Sequence, residues 1–168
     1  MNLKEARKNP QKFLDNLDTS GTYIKQFVYN PNQEMVYDFF SEEKKGIIAD
    51  VSITGIGRKR GIVHVYPRAF SEEPHENIDD LMSSLIDHEG FHTKQGRYFI
   101  KNLINSLKGN NNYGFPEVEM PAVANQIANF EKRNISDSFK QYVMNTYERQ
   151  NASYKVIKKG LFYKLEKR

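Results

Sequence analysis

Five residues, Ile78, Leu81, Leu85, His88 and His92, recur at steps of 3, 4, 3 and 4, the spacing that keeps side chains on one face of an α-helix. A helix is therefore expected from about residue 78 to Gly96, with the glycine as its stop and Asp79 and Asp80 in a first turn that favours negative charge. The last two members of this otherwise apolar stripe are histidines. They belong to His88-Glu89-Gly90-Phe91-His92, in a chain with only four histidines in all.

The period changes at Pro74. Before it, apolar residues alternate in runs rich in β-branched and aromatic types. Residues 23–29 and 35–40 flank Asn30-Pro31-Asn32-Gln33-Glu34, a turn signal that predicts a hairpin. Two further strands, in 46–56 and 61–70, are joined by the basic turn Gly57-Arg58-Lys59-Arg60-Gly61. The first seventy residues thus predict about four strands in a small, mostly antiparallel sheet, preceded by an amphipathic helix over 3–17 that is interrupted near Pro10. After the histidine helix, a helix is expected over 97–108 and a loop at 110–116. Another helix, starting between Glu117 and Pro121 and running past Ile127 to Phe130, comes next. A last one, opened by Ser136 or Asp137, carries Phe139, Tyr142, Val143 and Tyr147. Helix, strands, then helices is an α+β order.

At 168 residues the chain has the size of one domain, 1–168, with 155–168 as a basic tail. It contains no cysteine, which excludes disulfides, thiolate metal sites and cysteine nucleophiles, so any metal must be held by His, Asp or Glu. The N-terminus is too charged for a secretory signal and no apolar run is long enough for a membrane span, so a cytoplasmic setting and no membrane partner are expected. Net charge is +4, concentrated in the 57–61 turn and the tail. Neither cluster interleaves aromatics as base-stacking modules do, so nucleic acid is not the expected partner.

His88-Glu89-Gly90-Phe91-His92 satisfies H-E-x-x-H. Residues i and i+4 project from one helical face, so both imidazoles can grip one zinc ion at about 2.0–2.1 Å, leaving a third protein ligand to find and an open position for water. Glu89, one step round the helix, can reach that water without binding metal, the position of a general base. A longer histidine-rich extension would need glycine at Gln95 and histidine at Tyr98, and has neither. His75 precedes His88 by 13 residues, roughly 20 Å along a helix, too far for one coordination shell. The remaining carboxylates are Glu117 and Glu119.

Residues 78–128 resemble the gluzincin group of zinc metallopeptidases, whose thermolysin-like members pair H-E-x-x-H with a downstream helical glutamate, often followed three positions later by a small residue. Here that pair is Glu119 with Ala122, which favours Glu119 over Glu117 as third ligand to zinc. The short chain is similar to the compact single-domain members. The resemblance implies a zincin-like fold and hydrolysis of a peptide or protein substrate. It also implies a cleft-lining edge strand at 61–67 and a Tyr or His donor for the oxyanion, with Tyr113, Tyr142, Tyr147 and Tyr154 as candidates. One departure is Val123, which stands where such enzymes place an aspartate that orients a ligating histidine; Asn125 or a backbone carbonyl is the available substitute. Pro121 disfavours helical geometry at Met120, so Glu119 is expected at the N-terminal end of its helix.

The expectation is therefore a zinc-dependent metallopeptidase with His88, His92 and Glu119 as ligands and Glu89 as base. The alternative is a basic binding module, for nucleic acid or an acidic partner, in which Arg58, Lys59 and Arg60 bind and the histidine pair is structural.

Overall fold

The structure, a computed structural model, describes residues 2–38, 43–54, 60–71, 73–95, 116–159 and 162–167, and at 36–38, 43, 116–118, 150–159 and 162–167 the backbone alone. Among these residues the chain is mixed α and β, with one three-stranded mixed sheet, two separate hairpins and five helices. The helix expected over 97–108 lies outside the described residues. No helix among them is long and apolar enough to cross a membrane.

The N-terminal helix is two helices. Helix α1 (Leu3–Lys8) is opened by a capping box in which Asn2 and Glu5 exchange hydrogen bonds, and α2 (Pro10–Asp15) starts on Pro10, where a missing N–H costs nothing. Leu3, Ala6, Phe13 and Leu14 are buried against the sheet side of the core.

Strand β1 (Ile24–Tyr29) does not form the hairpin expected across residues 30–34. It pairs in parallel with β5 (Gly61–Val65), while β4 (Ala49–Ile53) pairs antiparallel with the other side of β5. The second run expected to pair with β1 instead forms its own ribbon, β2 (Met35–Asp38) with β3 (Glu43–Gly46). Burial explains the choice. Ile24 and Phe27 of β1 both face the core although three apart, because the register shifts between Ile24 and Gln26, as a bulge allows. A strand so buried needs the fully buried Val63 and Val65 beside it, not an exposed ribbon. The turn residues are then free to brace the connection: the Gln33 side chain donates to Ile47 O (2.8 Å) and accepts from Arg68 N (2.9 Å).

Strand β5 is thus the central strand, not an edge. Among the described residues the edges of this sheet are β1 and β4.

After a short turn (Pro67–Phe70) whose Phe70 packs edge-on against Phe13 and Tyr29, the histidine-bearing segment, α3, is one continuous helix. It is α-helical over Ile78–Met82, π-helical over Ser83–Glu89 and α-helical again over Gly90–His92. It ends at His92, before the expected stop at Gly96, because Thr93 is fully buried and tied to the sheet. Thr93 Oγ1 accepts from Tyr23 N (3.0 Å) and donates to Gly90 O (2.6 Å), and Arg60 Nε donates to Thr93 O (3.0 Å). Leu81 and Leu85 enter the sheet-side core.

Helix α4 (Pro116–Ala128) contains Pro121 in its interior instead of starting on it. Met120, Ala122 and Val123 are all but completely buried around Pro121, and packing on every side overrides the lost hydrogen bond to the Glu117 carbonyl. Helix α5 (Asp137–Ser153) packs Phe139 and Val143 with Val123, Phe130 and Ile135 into a second core. Asp80, fully buried, joins the two halves: it accepts from Glu76 N and Asn77 N at the start of α3 and from Ser136 N and Oγ at the start of α5. Residues 155–168 supply most of a terminal hairpin, β6 (Tyr154–Lys159) with β7 (Phe162–Lys167).

Two glycines let α3 lie on the sheet. A Cβ at Gly61 would stand 2.4 Å from Thr93 Cγ2, and one at Gly90 2.8 Å from Thr22 Cγ2. Gly61→Ala is therefore expected to lower stability by about 1–3 kcal/mol through overpacking. Adding Thr93→Ser, which removes the clashing methyl but keeps the hydroxyl, should recover part of that loss. Chemical denaturation of the two single variants and the double variant checks the coupling, and strictly additive losses would refute the contact.

Candidate metal centre

His88 and His92 leave α3 from consecutive turns, and Glu119 leaves the first half of α4 opposite them. The three come together. His88 Nε2 lies 3.2 Å from His92 Nε2 and 3.3 Å from Glu119 Oε2, and His92 Nε2 lies 3.5 Å from Glu119 Oε1. The imidazole rings meet edge-to-face with centroids 4.9 Å apart.

Donors held about 2.0–2.1 Å from a zinc ion at tetrahedral angles stand about 3.3–3.4 Å from one another. The contacts are of that order, with the two histidines meeting different oxygens of the one carboxylate, and the group could hold a metal ion. Among the described residues this is the one group of three or more His, Asp or Glu side chains so disposed, its donor atoms all within 4.8 Å of each other. The donors are two imidazoles and a carboxylate, nitrogen and oxygen ligands with no thiolate among them.

Glu89 is buried, 8% exposed, and lines the same cleft as His88 and Glu119, a space of about 190 Å³. Its walls are Ile48 before β4, Val123 of α4, and Phe139, Tyr142 and Val143 of α5. The two glutamates are driven in opposite directions. Burial pushes the Glu89 carboxyl up, helped by Glu119 and Asp50 and opposed by His88 and His92. Burial would raise Glu119 too, but the charge of His92 and hydrogen bonds from both histidines outweigh it and hold that carboxyl well below the usual range. Glu119 is thus favoured as the ionised carboxylate and Glu89 as the neutral acid.

His92 is held in place by Gln95, whose Oε1 lies 2.7 Å from Nδ1. Asn125 does not touch an imidazole; its Nδ2 donates to the backbone carbonyl of Asp87 (2.7 Å), and Arg133 grips the Asp87 carboxylate with two bonds of 2.8 and 3.0 Å. The π-helical turn that carries His88 is thereby braced from α4 and from the residues before α5. Sequence reasoning missed Gln95 and Arg133. The three-residue step from His92 was the only signal for Gln95, and a contact 46 residues away leaves none for Arg133.

His75 is no ligand. Fully buried, its Nδ1 donates to Ala69 O (2.9 Å) and its Nε2 accepts from Ser84 Oγ (2.8 Å), with Phe139 packed on the ring. Desolvation brings its pKa down to about 4, so the ring is neutral. Among the tyrosines, Tyr142 lines the cleft, while Tyr147 packs against the α4–α5 core. Tyr113 and the side chains of Glu117 and Tyr154 lie outside the described residues.

In the metal-free protein burial disfavours the His92 cation, but Glu119, Glu89 and Gln95 together raise its pKa to about 9. The pairing therefore stabilises the fold in full below the ordinary histidine value near 6.5 and is lost as pH rises through about 9. Metal must displace that proton. Zinc uptake at pH 7 is expected to release about one proton, and affinity to rise roughly tenfold per pH unit up to about pH 9. Titration calorimetry in buffers of different ionisation enthalpy measures both, and a pH-independent affinity would contradict the proton's presence.

Comparison with protein-family models, with curated proteins and with solved structures finds no match to this chain. The chemistry of the site follows from its own donors.

Proposed function

We propose that this chain is a zinc-dependent peptidase of zincin-like organisation, with His88, His92 and Glu119 as ligands and Glu89 as the proton carrier. The observation that carries the proposal is the convergence of the two imidazoles, 3.2 Å apart, on the Glu119 carboxylate, whose oxygens lie 3.3 Å from His88 and 3.5 Å from His92, in a cleft that Glu89 also lines. A bound zinc ion supplies Lewis acidity, acidifying a water and polarising a carbonyl.

The residues divide the remaining work. Glu119 keeps its negative charge beside two imidazoles. Glu89, whose burial favours the neutral acid, accepts the proton of the attacking water at its carboxylate and returns it to the leaving nitrogen. Tyr142, on the α5 wall and 38% exposed, offers a phenolic donor to the same space. Apart from His88, no described residue lining the cleft is basic, and its aliphatic and aromatic residues (Ile48, Val123, Phe139, Tyr142, Val143) are joined by the uncharged Ser84, Gln126 and Thr146, which suits an uncharged side chain of the substrate. An extended substrate segment can add to the outer edge of β4, next to Ile48 in the cleft wall.

The alternative of a basic binding module finds no support at Arg60. Its guanidinium is committed internally, to the Thr93 carbonyl at 3.0 Å and the face of Tyr23 at 5.2 Å. Arg58 and Lys59 lie outside the described residues.

Glu89→Gln removes the proton acceptor while keeping size and shape. Zinc content is expected to stay stoichiometric and hydrolysis of an unstructured protein substrate to fall by about 10²–10⁴. Metal analysis beside a cleavage assay reads both, and undiminished cleavage in this variant would remove Glu89 from the mechanism.

A further inference from the structure

A neutral imidazole can offer Nε2 to a metal only when its proton sits on Nδ1. What faces the second nitrogen decides which tautomer forms. For His92 that neighbour is Gln95 Oε1, at 2.7 Å from Nδ1. An amide oxygen only accepts, so the contact is favourable when Nδ1 carries hydrogen and repulsive when it carries a lone pair.

Gln95 is presented from a fixed backbone. Lys94 N donates to Phe91 O (2.9 Å) and Gln95 N donates to His92 O (3.1 Å), folding the turn after α3 back onto the helix it leaves. Thr93, at the root of that turn, is fully buried and bonded to Tyr23, Gly90 and Arg60. His88 is braced by a separate route, through Asn125 and Arg133 at Asp87.

We infer that Gln95 is a positioning residue of the metal centre: it holds His92 as the Nδ1–H tautomer and aims the Nε2 lone pair into the space between His88 and Glu119. The inference rests on the metal-site reading above. Because the two imidazoles are held by different elements, loss of Gln95 disturbs His92 and leaves the turn at Asp87 intact.

The test uses Gln95→Leu, which keeps the bulk and removes the acceptor, and Gln95→Glu, which keeps an acceptor. Zinc affinity is measured by competition with a chromophoric chelator. Thermal midpoints are taken on the metal-free proteins, and the His92 ring nitrogens are observed by 15N NMR in metal-free protein at a pH where the ring is neutral. Gln95→Leu is expected to bind zinc about 10- to 100-fold more weakly with its metal-free midpoint little changed, and Gln95→Glu at least as tightly as the parent chain. The parent's ring should show the Nδ1–H tautomer and the Leu variant a mixture. Zinc affinity of Gln95→Leu within about twofold of the parent, equal weakening by both substitutions, or an unchanged tautomer would overturn the inference. If the parent takes up no zinc, the metal-site reading fails by itself, and the ring-nitrogen shifts still decide whether Gln95 sets the tautomer.

Discussion

Everything at the candidate site depends on how closely the histidine-bearing helix can lie on the sheet. At two contacts around this helix one partner is a glycine: Gly90 against Thr22 and Gly61 against Thr93, where a Cβ would come within 2.8 and 2.4 Å of a methyl. Close-packed interiors do not yield by such amounts without moving a neighbour. With the helix seated there, its far side meets α4 at the height of Glu119. The glycine within the H-E-x-x-H sequence thus has a packing reason of its own, independent of metal chemistry.

Three acids on this helix, Asp80, Asp87 and Glu89, are buried and Glu119 beside it is half-buried; their partners separate structure from chemistry. Asp80 accepts four hydrogen bonds that close the starts of α3 and α5, and Asp87 is bound twice by Arg133. Each is satisfied by groups of its own fold, as buried carboxylates must be. Glu119 faces two imidazoles, and Glu89 has no hydrogen bond to its carboxylate among the described residues while lining an open cleft. An acid kept buried without such partners is costly unless it is used. The same comparison sorts the histidines: His75 has both ring nitrogens matched by Ala69 and Ser84, whereas His88 and His92 turn their Nε2 atoms toward each other and a carboxylate.

Local signals carried the reading where the physics is local. The i, i+4 spacing of His88 and His92, the Asp-rich first turn of α3, the break at Pro10 and the Ser136 opening of α5 all depend on residues within one or two turns. Predictions failed where a distant partner decided. Strand β1 left its neighbour in sequence for β5, because only a central, fully buried strand matches the burial of Ile24 and Phe27. Pro121 sits inside α4 because burial on every side outweighs one missing hydrogen bond. The π-helical turn of α3 has no signature in the apolar spacing, and the contact of Gln95 with His92 depends on a turn folded back beside Thr93, which is bonded to Tyr23 just before β1.

By itself the sequence determined which groups are able to do chemistry: no thiolate is present, two imidazoles sit one helical turn apart with a carboxylate between, and few acids follow within reach. Those facts depend on residue type and helical pitch, which neighbouring residues specify. Tertiary structure alone decided that Glu119 stands 3.3 and 3.5 Å from the two histidines, that Glu89 is buried beside it, and that β4 presents the edge near the cleft. Such distances are set by the closest approach of helix to sheet and of helix to helix, and no residue specifies that approach without its partner in place.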